Sequence, residues 1–484
     1  MVFTQIRPFW LDEWFIIYNL KTRDTAGLFG QLEFMQQFPR VYLVLLKLFT
    51  SFFNYSYFSL RAPSFMVGIA VIMFSYKMMR KIFDAQIFAR YLFVLVLVSS
   101  ITFTEYFVQI KQYTMDILLS VFALWQLIEI LNIKEGCPVK INRYVFLCIS
   151  FLIAPFFSYT YPIAVSPVYI VVLLQTIVIL RSKGIPSVKR SAVLLKLAPL
   201  FLCTLSTALF YKADVKQLIA DRGMYSYWNV LMINDNNKLG SFFTNFYLLF
   251  SQLGAGIVFE TLFGILGVVS FIYGIISGTS SYIKKEHSLE AQLKIYSCLL
   301  LVLTFILFLC RKLPMGSPRL NAFTMPSITI LIIYFISRIS KNLRGDLQRI
   351  ILPAILYIGV IGNVFSTCLN FFTSAKYKKQ MENYVSTEKA IRLAQSKKLP
   401  VLVTTGIAYP FYQDFQGPVN DTNALNPCVW VIKTFPAYHM NEPVQIYALK
   451  DLATVKESME QLPPGINSAL AGDGISYKIY YRNK

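Results

Sequence analysis

Charge is scarce in this chain and acid is scarcer: only 15% of its 484 residues are charged, with 25 Asp or Glu against 46 Lys or Arg. Together with 56% hydrophobic and 16% aromatic residues and a mean hydropathy of +0.53, this excludes an ordinary soluble globular protein. The two histidines, His287 and His439, lie outside the apolar runs, which excludes a histidine metal site at membrane depth. Seven cysteines show neither metal-ligand nor redox spacing; Cys148, Cys203, Cys298 and Cys368 sit in apolar runs, where a thiol packs as a small hydrophobe, so no disulfide framework is implied. There is no repeat with a period of about 20–50 residues and no low-complexity tract. Nor do matched broken helices recur in the two halves, as they do in many secondary transporters.

What is present is a polytopic membrane protein. A span needs roughly 20 apolar residues, and ten runs qualify, near 59–78, 87–105, 113–132, 144–158, 161–180, 193–211, 252–277, 293–310, 322–338 and 350–372. The net charge of +21 does not point to nucleic acid, because the bases punctuate the apolar runs in short clusters that set orientation and meet lipid headgroups. Placing Lys77, Arg80, Lys81 and Arg90 in the cytoplasm puts Lys134/Lys140/Arg143, Arg181/Lys183/Lys189/Arg190, Lys284/Lys285 and Arg338/Lys341/Arg344 there too.

The opposite, outer face then receives residues 1–58, the turn at Lys111, the segment 212–250, the loop from Arg311 to Arg319 and everything after about 374. "PRVYLVLLKLFTSFF" (39–53) is too short to span and carries Lys47, so it reads as an interfacial or re-entrant helix. The expected division is a first outer loop over 1–58, a transmembrane helical domain over 59–373 and a soluble outer domain over 374–484. From about 376 an amphipathic helix precedes the β-branched "LPVLVTTG", which suggests a small α/β fold.

Polar groups beside spans are costly, and four places carry them. In "RPFWLDEWF", Asp12 and Glu13 sit between tryptophans; they are either a solvated helix start or a site, and helical neighbours diverge by about 100°, so at most one faces a cavity. In "EYFVQIKQYTMD" (105–116), Lys111 snorkels or binds, while Asp116, a turn inside the next span, needs a partner such as Lys111 or Gln112. In "CRKLPMGSPRLNAFTMP" (310–326), Arg311, Lys312 and Arg319 stand on the face where bases are disfavoured, and they either meet headgroups or grip an anion. Arg40 opens the interfacial helix, where snorkelling is the simpler reading. A carboxylate beside these cations suits chemistry on a lipid phosphate ester.

"RPFWLDEWF", "QFPRVYLVLLKLF", "SLRAPSFMVGIAVIMFSYKMMRKIFD", "YFVQIKQYTMDILLSVFAL", "FSYTYPIA" and "LPMGSPRLNAFTMP", in this order and spacing, resemble the GT-C superfamily of membrane glycosyltransferases. The branch is similar to the protein O-mannosyltransferases and the lipid A aminoarabinose transferase, within the bacterial dolichyl-phosphate-mannose mannosyltransferase-like group, and the likeness spans most of residues 5–340. It implies a polyprenyl-phosphate-linked sugar donor and a lipid, glycan or protein acceptor, with Asp12 and Glu13 as the catalytic pair. Lys111, Arg319, Lys312 and Arg40 would hold the donor phosphate, and Gln109, Tyr113 and Asp116 would support the cavity. Gln109 stands where the family usually has an acid, and Phe38 where a histidine usually precedes the proline step, so a divalent metal is left open.

The expected role of Asp12 is general base, with Glu13 orienting acceptor or loop, in a single inverting displacement at the cytoplasmic (inner) membrane of a bacterium. The rival readings are a lipid-linked sugar flippase and a polymerase or ligase using diphosphate-linked glycans. Family members enter the acidic loop from a preceding membrane helix, for which "MVFTQI" is too short, so an eleventh helix is expected upstream of Met1. Reading the gene in frame upstream of Met1 tests this: an apolar helix is expected, and a stop codon directly before Met1 contradicts it.

Overall fold

Hydrocarbon offers a backbone no water to bond, so a spanning chain satisfies its own N–H and C=O groups as helix. The structure, a computed structural model, describes residues 11–32, 36–84, 86–133, 139–183, 190–216, 232–233, 237–284, 288–342, 346–373, 401–404, 429–433, 444–448, 457–459, 469–473 and 477–481. The chain forms two compact units, one of Met1–Thr22 with Phe371–Lys484, the other of Arg23–Asn370.

The first unit contains α1 (Leu11–Thr22) and strands β1 (Val401–Thr404), β2 (Val429–Lys433), β3 (Val444–Ala448), β4 (Glu457–Met459), β5 (Ala469–Asp473) and β6 (Tyr477–Tyr481). The strands form one mixed sheet in the order β4-β3-β1-β2-β6-β5. β1 and β2 are parallel, with Val401 opposite Val429, and the other neighbours are antiparallel. β1 falls on the β-branched stretch expected to be strand. The amphipathic helix expected from about 376, and Asp414, Asp421 and His439, lie outside the described residues.

The remaining helices are α2 (Arg40–Phe52), α3 (Tyr57–Ile82), α4 (Ile87–Ser99), α5 (Ile101–Tyr106), α6 (Tyr113–Leu131), α7 (Ile141–Ile153), α8 (Tyr161–Lys183), α9 (Arg190–Phe210), α10 (Lys238–Ser251), α11 (Gly256–Ile283), α12 (Leu289–Leu309), α13 (Pro318–Asn321), α14 (Met325–Asn342) and α15 (Asp346–Thr373). Among the described residues seven segments are long and apolar enough to cross a membrane: Tyr57–Ile82, Tyr113–Leu131, Tyr161–Val178, Val193–Val215, Gly256–Ile283, Leu289–Leu309 and Pro318–Asn342. Three further apolar helices, Ile87–Ser99, Ile141–Phe157 and Tyr357–Leu369, are shorter, and each falls on an expected span. The chain is an integral membrane protein. The segments at α6 and α13–α14 are 78% and 83% buried, against 33% for α11, so α6 and α14 are central and α11 peripheral. On α11 the lipid-facing side is apolar, with Ile257, Ile265 and Ile276 exposed.

α2 is short and one-sided. Its 13 residues reach only about 20 Å at 1.5 Å per residue; Tyr42, Leu43 and Leu46 are buried on one face while Leu45, Leu48 and Phe52 are exposed. No span is expected between 212 and 250, yet α10 begins there, capped by the Asn237 side chain accepting from Gly240 N–H. Its run "FFTNFYLLF" packs one aromatic face on α11 and α12, where Phe246, Phe250 and Phe305 meet.

Broken helices expose backbone groups, and side chains cover them. The expected run 87–105 breaks at Ser100, whose hydroxyl caps α5 through Phe103 N–H at 3.0 Å. The Ser99 carbonyl freed there accepts from Asn363 Nδ2 (3.0 Å) and Thr367 Oγ1 (2.7 Å). Asn363 also donates to Leu253 O (3.0 Å) and accepts from Ala255 N–H (2.8 Å), closing the α10–α11 turn from α15.

At one end of the bundle the basic loops converge. Lys81, in the last turn of α3, and Arg143, at the start of α7, both pair with buried Glu129 of α6. The end of α3, the starts of α4 and α12 and the end of α14 surround one cavity at that end.

Replacing Asn363 with Leu leaves the Leu253 carbonyl and the Ala255 N–H without this partner and the Ser99 carbonyl with Thr367 alone. A destabilisation of about 1–3 kcal/mol is expected, read as a lower thermal midpoint of the detergent-solubilised protein; an unchanged midpoint contradicts the clasp.

Candidate functional site

The opposite end of the bundle, where α3 begins, gathers polar residues of the loops expected on the outer face. The extended segment between Gln36 and Arg40 is fastened there at three points. Lys111 Nζ donates to Gln36 Oε1 at 2.9 Å, the Tyr159 hydroxyl lies 2.9 Å from Phe38 O, and Arg40 meets Asp214, its N–H reaching Oδ2 at 3.0 Å and its Nε reaching Oδ1 at 3.5 Å. Asp214 sits in the π-helical turn Tyr211–Val215 that follows α9, and it also accepts from the Tyr159 hydroxyl at 2.8 Å. Burial, reinforced by the Asp214 charge and opposed by Arg40, raises the Tyr159 phenol well above its usual range, so it stays a donor. Both side chains of the Arg40–Asp214 pair are buried, at 6% and 4% exposure. Arg40 Nη1 is buried and has no hydrogen-bond partner among the described residues.

Pro39 starts α2 at Arg40 because its ring fixes the backbone just before the helix and its carbonyl accepts from Leu43 N–H. One turn on, Phe38 and Tyr42 stack at 5.4 Å. Burial pushes the Tyr42 phenol up to about 12; a Ser64 hydrogen bond opposes this and the Asp116 charge adds to it. Ser64 of α3 reaches Lys111 O at 3.5 Å, so α2, α3 and the α5–α6 turn meet around Tyr42.

Asp116 is buried, but its partner differs from the one expected. The Ser158 hydroxyl donates to it, while that same oxygen accepts from Thr160 N–H (3.1 Å) and Tyr161 N–H (3.0 Å) to cap α8. Lys111 is drawn away to Gln36, so the Lys111–Asp116 pair is replaced by a serine bridge to "FSYTYP". Gln109 donates to Glu105 Oε1 at 3.4 Å, and Tyr113 packs against Tyr106 at 4.8 Å.

The late loop begins where α12 ends in a Schellman turn: Lys312 N–H bonds Leu307 O (2.8 Å) and Arg311 N–H bonds Phe308 O (2.9 Å). Arg311 takes φ 55°, the left-handed position that usually falls to glycine. Asn321 gathers the loop, its Nδ2 within 2.8–2.9 Å of the Pro314, Met315 and Ser317 carbonyls. Lys312 is exposed and Arg319 half-buried. α13, which carries Arg319, packs on α5, which carries Glu105, so the two basic loops are neighbours.

Asp12 and Glu13 occupy the first turn of α1, where a helix N-terminus favours carboxylates; Glu13 is buried and Asp12 half-buried. They belong to the first unit, and Arg40, Lys111, Lys312 and Arg319 to the second. No group of three or more His, Cys, Asp or Glu that could hold a metal occurs among the described residues. Three residues of this end were missed in the sequence. Arg61, 1% exposed inside α3, passed as part of an apolar span; Glu105 was legible only through its i,i+4 spacing to Gln109; Asp214 pairs with Arg40 across 174 residues and carried no local signal.

No family model and no curated protein matches the chain. The fold nevertheless defines a class in three dimensions: it is one that solved membrane-protein structures share. The particular likeness is to ArnT from Cupriavidus metallidurans, in its apo state (TM-score 0.54, 12% identity) and bound to undecaprenyl phosphate (0.52, 11%). Each match covers 99% of this chain and 95% of the other, and at such identity it establishes the fold alone.

Replacing Asp214 with Ala leaves Arg40 buried without its carboxylate and is expected to cost about 3–5 kcal/mol of stability. The double change Arg40→Met/Asp214→Leu should cost less than Asp214→Ala alone. Equal stability of wild type and Asp214→Ala in thermal unfolding contradicts the buried pair.

Proposed function

We propose that this chain is a glycosyltransferase of the cytoplasmic membrane of a bacterium, moving a sugar from a polyprenyl-phosphate donor to an extracytoplasmic lipid, glycan or protein acceptor. The observation that carries the reading is the fastening of Gln36–Arg40, which seats the buried cations Arg40 and Lys111 at the end of the bundle away from the basic loops. That end would face outward. The ArnT fold, seen in one structure with undecaprenyl phosphate, supports a polyprenyl phosphate as the lipid partner.

In this reaction the acceptor oxygen bonds to the anomeric carbon as the carbon–oxygen bond to the donor phosphate breaks, and the electron pair leaves with the polyprenyl phosphate. The developing phosphate charge is met by Lys111 and Arg319, with Lys312 and the free Nη1 of Arg40 adding to the field. Asp12 takes the acceptor proton, Glu13 orients the acceptor or its loop, and one displacement inverts the anomeric centre. Gln109, Tyr113 and Asp116 shape the cavity. The pairing of the acids with the cations rests on the sequence resemblance, since the two groups belong to different units.

The test is sugar transfer from polyprenyl-phosphate donors by the purified full-length protein. Asp12→Asn should lower turnover by about 10²–10⁴-fold, and Lys111→Ala and Arg319→Ala should both weaken donor use and slow turnover. Near-wild-type turnover in Asp12→Asn removes it from the role of base.

A further inference from the structure

A polar cavity of about 300 Å³ lies at the end of the bundle where Lys81 and Arg143 meet Glu129, opposite the proposed donor site. It opens between Gln86 at the start of α4, Glu290 at the start of α12, and Tyr334, Ser337, Arg338 and Lys341 on the last turns of α14. Its acids are already compensated. Glu290 is paired with Lys294 at 2.6 Å, and that ammonium also lies over the Tyr273 and Tyr334 rings, at 4.9 and 5.3 Å. Asp84 pairs with Arg90 at 3.6 Å, and its side chain is 95% exposed.

Arg338 and Lys341 remain. They are three residues apart, so they share one helix face; both are exposed, and neither forms an ion pair among the described residues. The lining thus leaves two positive charges at its rim beside the Ser337 hydroxyl. The cavity also borders lipid, since Ile87, next to Gln86, is 62% exposed on an apolar helix. Two cations, a hydroxyl and an apolar flank at a helix end form the environment of a phosphodiester with acyl chains attached.

We propose that this cavity binds the headgroup phosphate of an anionic phospholipid, with Arg338 and Lys341 gripping the phosphate and the acyl chains lying along α4. The site is independent of the donor reading and stands or falls without it.

The full-length protein in detergent is titrated with phosphatidylglycerol, with phosphatidylethanolamine and with inorganic phosphate, and retained ligand is counted by native mass spectrometry. Saturable, preferential retention of phosphatidylglycerol is expected. Arg338→Gln/Lys341→Gln should weaken it by at least about tenfold, while Arg338→Lys/Lys341→Arg keeps it. Lys77→Gln/Arg80→Gln, removing exposed cations near the same end but outside the cavity, should leave it unchanged. No preference over phosphatidylethanolamine, equal loss in all three double variants, or inorganic phosphate binding as tightly as the lipid overturns the proposal.

Discussion

The segment between Gln36 and Arg40 makes no regular structure of its own until Pro39 starts a helix, so its position depends on what holds it. Lys111, Tyr159 and Asp214 do so, reaching it from the α5–α6 turn, the start of α8 and the end of α9. Because the Arg40–Asp214 pair is buried, each charge would be costly alone, and the pair is satisfied only when α2 lies against the end of α9. That mutual dependence places α2 on the bundle and brings Arg40 to the same segment that Lys111 grips.

The same economy runs through the membrane domain, where each break in a helix is answered by a side chain from elsewhere. Asn363 closes two breaks at once. Within the core, Tyr161 donates to Gln126 Oε1 (2.7 Å) and Gln126 donates to Ser150 (2.9 Å), joining α8, α6 and α7. These bonds do not drive burial as they would in water; they fix which helix lies against which. At the other end, Glu129 gathers bases from two loops by the same logic.

Hydrophobic runs and loop charges made the helices legible, because both follow from local composition. That is why Lys81 and Arg143, grouped from their bases alone, meet on one carboxylate. Helix breaks were less legible: 87–105 reads as one apolar run, and only the distant Asn363 explains why stopping at Ser100 is tolerated. α10 was missed because its polar face and aromatic face average to an ambiguous segment. At the site, Lys111 was singled out because it has no topological role on its face and Arg40 because it opens α2, whereas Asp214 and Arg61 acquire meaning only in three dimensions. Asp116 was rightly marked as a carboxylate in need of a partner, but the serine that meets it lies 42 residues away, beyond the reach of spacing.

In the proposed function the cations at the Gln36–Arg40 end would serve equally well to move a lipid-linked sugar or to break its phosphate bond, and only the product separates the two. The direct measurement supplies a radiolabelled sugar on polyprenyl phosphate, together with a cell-envelope acceptor fraction, to the full-length protein in sealed vesicles. A glycosyltransferase releases free polyprenyl phosphate and leaves the label on the acceptor with inverted anomeric configuration. Label that crosses the bilayer while still attached to its lipid phosphate, with no transfer, would contradict the account.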